Sequence, residues 1–149
     1  MTSAPTCFAA VFGALFVAHQ VADHWVQTAH PAARTGAPGW PGRRACAAHV
    51  ATYTATAVVA LAALAAATGL PLSGPRVAAG LAVSAVTHYV ADRRTPLKRL
   101  AHLCRIDRFY ALGACRDGRD DNPSLGTGAY ALDQSFHYAW LFIAALVIA

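Results

Sequence analysis

Three histidine–aspartate pairs recur at a spacing of four residues inside otherwise apolar stretches: His19/Asp23, His88/Asp92 and Asp133/His137, with His49/Tyr53 a softer fourth case. Residues four apart stack on one face of a helix. Several such faces turned inward would converge on one point. Imidazole and carboxylate together are the side-chain set that binds a divalent cation, which makes His19, Asp23, His49, His88, Asp92, Asp133 and His137 candidate metal ligands. The set is larger than one tetrahedral zinc needs. It fits one or two divalent ions, zinc first, or one ion with outer carboxylates orienting the histidines.

A bound divalent ion can bring the pKa of water close to neutrality, which opens hydrolysis as a reaction class. Asp23 or Asp133 is then the candidate catalytic base. Arg93 and Arg94 directly follow Asp92. They read either as a membrane-orienting basic anchor or as the group that holds a substrate phosphate or carboxylate. Gln27, Tyr53 and Gln134 are placed to hydrogen-bond around the ligands, and Ser84 lies one turn before His88. His24 projects to another face, and His30 and His102 fall in loop or surface contexts. Cys46, three residues before His49, reads as a small apolar residue or as a further ligand. Two other readings of the same pairs stay open: a hydrogen-bonded network without metal, and a proton or ion pathway.

The elements that position these residues are read from composition. Of 149 residues, 56% are hydrophobic and 13% charged, with no Glu and one Lys, Lys98. The charged share is about half that of ordinary soluble domains. A soluble helical bundle covers its outer faces with Glu and Lys; this chain lacks the residues to do so, and its outer faces are expected to meet lipid. Spanning helices need roughly 20 apolar residues. Met1 to Ala22 and Ala45 to Pro75 carry no Asp, Glu, Lys or Arg. The expected fold class is all-α, a single four-helix transmembrane bundle with helices at about 6–28, 43–68, 75–94 and 128–148. Cytoplasmic loops are expected at 29–42 and 95–127. Pro96 interrupts the third helix, and Leu97–Cys104 then reads as a short basic amphipathic helix at the membrane surface.

Charge sets the orientation. Arg34, Arg43 and Arg44 join helices 1 and 2, and eight Lys or Arg residues from Arg93 to Arg119 join helices 3 and 4. The positive-inside rule places both connections in the cytoplasm and both termini outside, in a multi-pass cell-membrane protein. Every polar pair then lies within about 15 Å of a cytoplasmic helix end at 1.5 Å per residue. The net charge of +5 is accounted for by these loops and calls for no nucleic acid. Membrane lipid is the expected partner, with a homo-oligomer compatible. No basic residue precedes the first apolar stretch, so a cleaved signal peptide is not expected. The four cysteines show no CxxC or disulfide-framework spacing. Asp117–Asn122 lacks the Gly position and terminal Glu of a calcium loop.

The blocks HQVADHWVQT (19–28), AAHVATYTAT (47–56), THYVADRRTPLKRLA (87–101) and GAYALDQSFHYAWL (128–141) together resemble a bacterial family of small integral membrane proteins of unknown function, found in actinobacterial genomes and mobile elements. The resemblance implies a four-helix membrane protein with these blocks as its site. A more distant similarity is to membrane-bound metal-dependent hydrolases. The preferred function is therefore metal-dependent hydrolysis of a membrane-associated substrate. One rival is a non-enzymatic membrane factor of a mobile element or phage whose His/Asp cluster is structural. The other is a small ion or proton transporter, which the apolar run beyond Thr56 disfavours.

Overall fold

The computed structural model describes residues 3–27, 34–114 and 126–149, and these are mostly helical, with no strand among them. The long helices are α1 (Ala4–Val21), α2 (Gly39–Thr68), α3 (Gly74–Asp92) and α6 (Thr127–Ile148); α4 (Thr95–Leu103) and α5 (Asp107–Tyr110) are short. Around the core, α1 packs on α2 and α6, while α3 packs on α2 and α6, and the diagonal pairs meet through side chains such as His19 and His88 rather than by close backbones. Each of the four can therefore turn one face to a shared axis.

Helix starts follow the proline positions. Pro5, Pro75 and Pro96 lie in first turns, where the missing N–H has no intrahelical partner to lose. The same rule moves the start of α2 from the expected Arg43 to Gly39, because Pro41 still falls within the first turn and does not break it. Gly69, with φ of 67°, supplies the left-handed residue that closes α2. α3 ends at Asp92, two residues before the expected limit, and Arg94 follows in a positive-φ conformation.

The connection expected at 95–127 contains two helices in its described part. α4 buries Leu97 and Ala101 and leaves Lys98, Arg99, Leu100 and Leu103 exposed, as a basic amphipathic surface helix should. α5, which was not expected, packs on α6. Gly128 makes that contact possible: a Cβ there would lie 1.7 Å from the Phe109 carbonyl oxygen. Residues 28–33 of the first connection, with Thr28 and His30, and the segment from Cys115 to Leu125 with its Asp117–Asn122 run lie outside the described residues.

Three helical stretches are long and apolar enough to cross a membrane: Ala4–Val26, Gly39–Thr68 and Thr127–Ile148. α3 is not among them; it carries Arg76, Ser84, Thr87, His88 and Asp92. The outward faces are apolar, with Val17, Val58, Val59, Val86, Phe142, Ile143 and Leu146 all exposed. In water such a surface would be an aggregation liability, whereas in lipid it is the ordinary outer face of a spanning protein.

Candidate metal centre

α1 passes into a π-helical turn, Ala22–Val26, closed by the Gln27 N–H donating to the Ala22 carbonyl at 2.8 Å. Single π turns inside helices occur frequently at functional sites. This one carries Asp23 and His24, and it packs on α2. There His49 faces it, while His88 and Asp92 come from α3 and Asp133 and His137 from α6. The structure brings all seven candidate ligands into one cluster. His19, His49, His88 and His137 are buried. The carboxylates of Asp23, Asp92 and Asp133 keep 12%, 14% and 29% of their surface.

The innermost four atoms are Asp23 Oδ1, His49 Nε2, His88 Nε2 and Asp92 Oδ2. His49 Nε2 lies 3.0 Å from His88 Nε2, 3.4 Å from Asp23 Oδ1 and 3.4 Å from Asp92 Oδ2. His88 Nε2 lies 3.6 Å from Asp23 Oδ1 and 3.4 Å from Asp92 Oδ2. These separations are mostly too long for hydrogen bonds. Ligand atoms on a tetrahedral zinc with bonds of 2.0–2.2 Å are about 3.4 Å apart, which matches the four His–carboxylate separations, while His49 and His88 share a hydrogen bond at 3.0 Å. Three overlapping groups could each hold an ion: His19/Asp23/His88, His49/His88/Asp92 and Asp92/Asp133/His137.

Six buried polar atoms have no hydrogen-bond partner among the described residues: His19 Nδ1, Asp23 Oδ1, His49 Nδ1, His88 Nδ1, Asp92 Oδ2 and His137 Nε2. All six belong to the cluster. Buried polar atoms are otherwise almost always satisfied, because leaving one bare costs about 1–3 kcal/mol. Four of the six, His19 Nδ1, Asp23 Oδ1, Asp92 Oδ2 and His137 Nε2, face another ligand of the cluster, whereas His49 and His88 turn Nε2 to it and leave Nδ1 on the far side of the ring. The donor set therefore fits a divalent cation by its His–carboxylate spacing and by those four unmet atoms.

Outer groups hold the ligands in place. Gln134 Oε1 accepts from the Tyr138 hydroxyl at 3.0 Å and lies 3.3 Å from His19 Nε2. The Tyr138 oxygen in turn accepts from the Gln20 amide at 2.7 Å. The His137 Nδ1–H donates to the Asp133 backbone carbonyl at 2.9 Å. Tyr53 stacks on His88, with ring centroids 4.0 Å apart, and its hydroxyl shares a 2.5 Å hydrogen bond with Ser84. Gln20 and Tyr138 were not expected from sequence, although Tyr138 lies four residues after Gln134 and so shares its helix face.

A cavity of about 290 Å³ opens beside the cluster. Asp23, Asp92, Asp133 and Gln134 line its inner wall, and His24, Gln27, Thr35, Arg94, Leu97, Tyr110, Ala129 and Tyr130 complete it. His24 Nε2 and the Tyr130 hydroxyl are 3.2 Å apart.

The two arginines after Asp92 have different surroundings. Arg93 donates to the Thr35 and Ala37 carbonyls, tying the α1–α2 connection to the end of α3, and does not line the cavity. Arg94 does line it. Its φ of 58° and ψ of −45°, with the Thr95 N–H donating to the Arg93 carbonyl at 2.6 Å, form the rare and strained γ-turn. Such strain persists only where surrounding structure enforces it, and it clusters at functional sites. Cys46 donates its thiol to the Tyr89 carbonyl at 3.6 Å and stands apart from the three ligand groups. His102 pairs with Asp107 at 3.0 Å on the exposed surface.

Comparison with known proteins supplies no relative: no family model matches the chain, and no curated protein or solved structure matches it.

Proposed function

We propose that the chain is a multi-pass membrane protein whose four long helices cross the bilayer with both termini outside, and whose His/Asp cluster is a divalent-metal centre that hydrolyses a membrane-associated substrate near the cytoplasmic face. α3 is counted as the fourth span because its 19 residues reach about 28 Å at 1.5 Å per residue, close to the hydrocarbon thickness. Exposed Trp25 and Trp40 sit at the helix ends beside the cluster, where indole rings favour the membrane–water boundary. The resemblance to small actinobacterial membrane proteins belongs to this same proposal.

The observation that carries the functional reading is the cavity whose inner wall holds all three cluster carboxylates. When bound, a divalent ion supplies Lewis acidity and lowers the pKa of water. His19, His49, His88 and His137 hold it as neutral imidazoles, with Asp23 and Asp92 offsetting charge. Asp133 is the most exposed of the three carboxylates and lines the cavity, so it accepts the proton from water. Arg94 binds the substrate's anionic group, while Leu97, Tyr110 and Tyr130 meet its apolar part. Transport is disfavoured by the rest of the core: Val11, Leu15, Ala57, Leu61, Leu81, Ala144, Ala145 and Ile148 form it, and among the described residues no buried polar side chain lies there to continue a path.

The test is turnover by the metal-loaded protein in mixed micelles, across amphiphilic phosphate and carboxylate esters. Hydrolysis that falls at least about 100-fold in Asp133→Asn is expected, the usual contribution of a general base. A folded, metal-loaded protein with no turnover across the panel would overturn the enzymatic reading in favour of the structural one.

A further inference from the structure

Asp23 and Asp92 divide their oxygens between two sets of histidines. Asp23 Oδ1 and Asp92 Oδ2 face His49 and His88 at 3.4–3.6 Å. Their other oxygens face the remaining histidines: Asp23 Oδ2 lies 3.5 Å from His19 Nδ1, and Asp92 Oδ1 lies 3.8 Å from His137 Nε2. The His19 and His137 rings lie side by side, with centroids 4.9 Å apart. Both carboxylates thus present one oxygen to each of two adjacent sites.

The outer hydrogen bonds decide which nitrogens carry protons. Gln134 Oε1 already receives the Tyr138 hydroxyl and is an acceptor, so His19 Nε2 is the protonated nitrogen and Nδ1 is left with its lone pair. The Asp133 carbonyl takes the His137 Nδ1–H, leaving the Nε2 lone pair. Both bare nitrogens are buried, lack a hydrogen-bond partner among the described residues and face carboxylate oxygens. A lone pair set against a carboxylate repels unless a proton or a metal cation lies between them, and a divalent ion would serve both nitrogens and both carboxylates at once. Orienting a ligating histidine through its other nitrogen is the usual arrangement in metal sites.

We propose that the cluster holds two divalent cations bridged by Asp23 and Asp92, an inference that rests on the metal-centre reading above. His49 and His88 complete one site. His19 and His137 complete the other, with Asp133 beside it, since Asp92, Asp133 and His137 can offer ligand atoms within 4.8 Å of one another. Charge agrees: the three carboxylates exceed what one divalent ion offsets, and two ions leave a net positive site for an anion. Paired ions stabilise both the attacking and the leaving oxygen of an in-line displacement, which directs the substrate class to phosphate esters.

The test is metal counting on the full chain in detergent, loaded with zinc and freed of excess. Two ions per chain are expected, and one in His19→Ala. Loaded with manganese, the wild type should give an exchange-coupled electron paramagnetic resonance spectrum, and His19→Ala the six-line signal of an isolated ion. One ion per wild-type chain with the isolated signal overturns the pair and leaves the metal centre standing. No bound ion overturns both. Should His19→Ala fail to fold, the wild-type count and spectrum decide alone.

Discussion

The two ends of the helical core are built from different chemistry. At one end, four helices contribute His19, Asp23, His49, His88, Asp92, Asp133 and His137, with Tyr53 and Ser84 at its inner boundary. At the other end the same helices contribute Val11, Leu15, Ala57, Leu61, Leu81, Ala144, Ala145 and Ile148. The apolar end depends on closeness: a Cβ on Gly80 would lie 2.4 Å from Ile148 Cγ1 and 2.8 Å from the Ala144 carbonyl oxygen. In lipid, small residues let helix backbones approach, and contact rather than the hydrophobic effect holds them. Among the described residues, the cross-helix polar contact near that end is peripheral, from the Arg76 Nε–H to the Val147 carbonyl at 3.0 Å. The polar end has wider ligand spacing and unmet lone pairs. One end therefore holds the helices together by close packing, while the other carries a donor set that could hold a cation.

The largest expected effect separates the ends by removing the cation. A ligand that binds only the folded protein stabilises it by about 2.7 kcal/mol when present at 100 times its dissociation constant. Chelation should therefore lower the thermal midpoint followed by circular dichroism, while helicity at low temperature persists because the apolar end still packs. An unchanged midpoint would mean that no cation links the polar end. A smaller effect is expected from Gly80→Leu, where overpacking costs about 1–3 kcal/mol. Its midpoint should fall while metal per folded chain stays at the wild-type value; a matching loss of metal would show that the ends are not separable. The smallest is Tyr53→Phe at the seam, which removes the bond to Ser84 but keeps the ring on His88. A loss of about 1 kcal/mol is expected, with metal content retained.

The cluster was legible in sequence because four-residue spacing survives folding as a helix face, and because every pair sits near one end of its helix, with Arg93 and Arg94 directly after Asp92. His24 is different, since its neighbours depend on the π turn, which no local pattern in Ala22–Val26 announces. The division between Arg93 and Arg94 was hidden for a similar reason. Adjacent identical residues leave a helix end in different directions, and only the γ-turn at Arg94 sends one toward the cavity and the other toward the α1–α2 connection. Proline misplaced the start of α2, because a breaker and a first-turn residue look alike until the helix boundary is known. Gln20 and Tyr138 were obscured by being ordinary polar residues on helices already assigned. The helix count was read from charge-free length, a signal strong for α1 and α2 and weaker for α3 and α6, whose own site residues dilute it.

The most direct measurement is the divalent-metal content of the wild-type chain purified in detergent, beside that of His88→Ala. His88 Nε2 faces Asp23, Asp92 and His49 together, so its loss opens the innermost ligand set. The prediction is two divalent ions per chain in the wild type and no more than about one in His88→Ala, since even outer-shell changes cost 10–100-fold in affinity, with helicity unchanged. A helical wild-type protein that takes up no metal, or a variant that holds as much as the wild type, would contradict it.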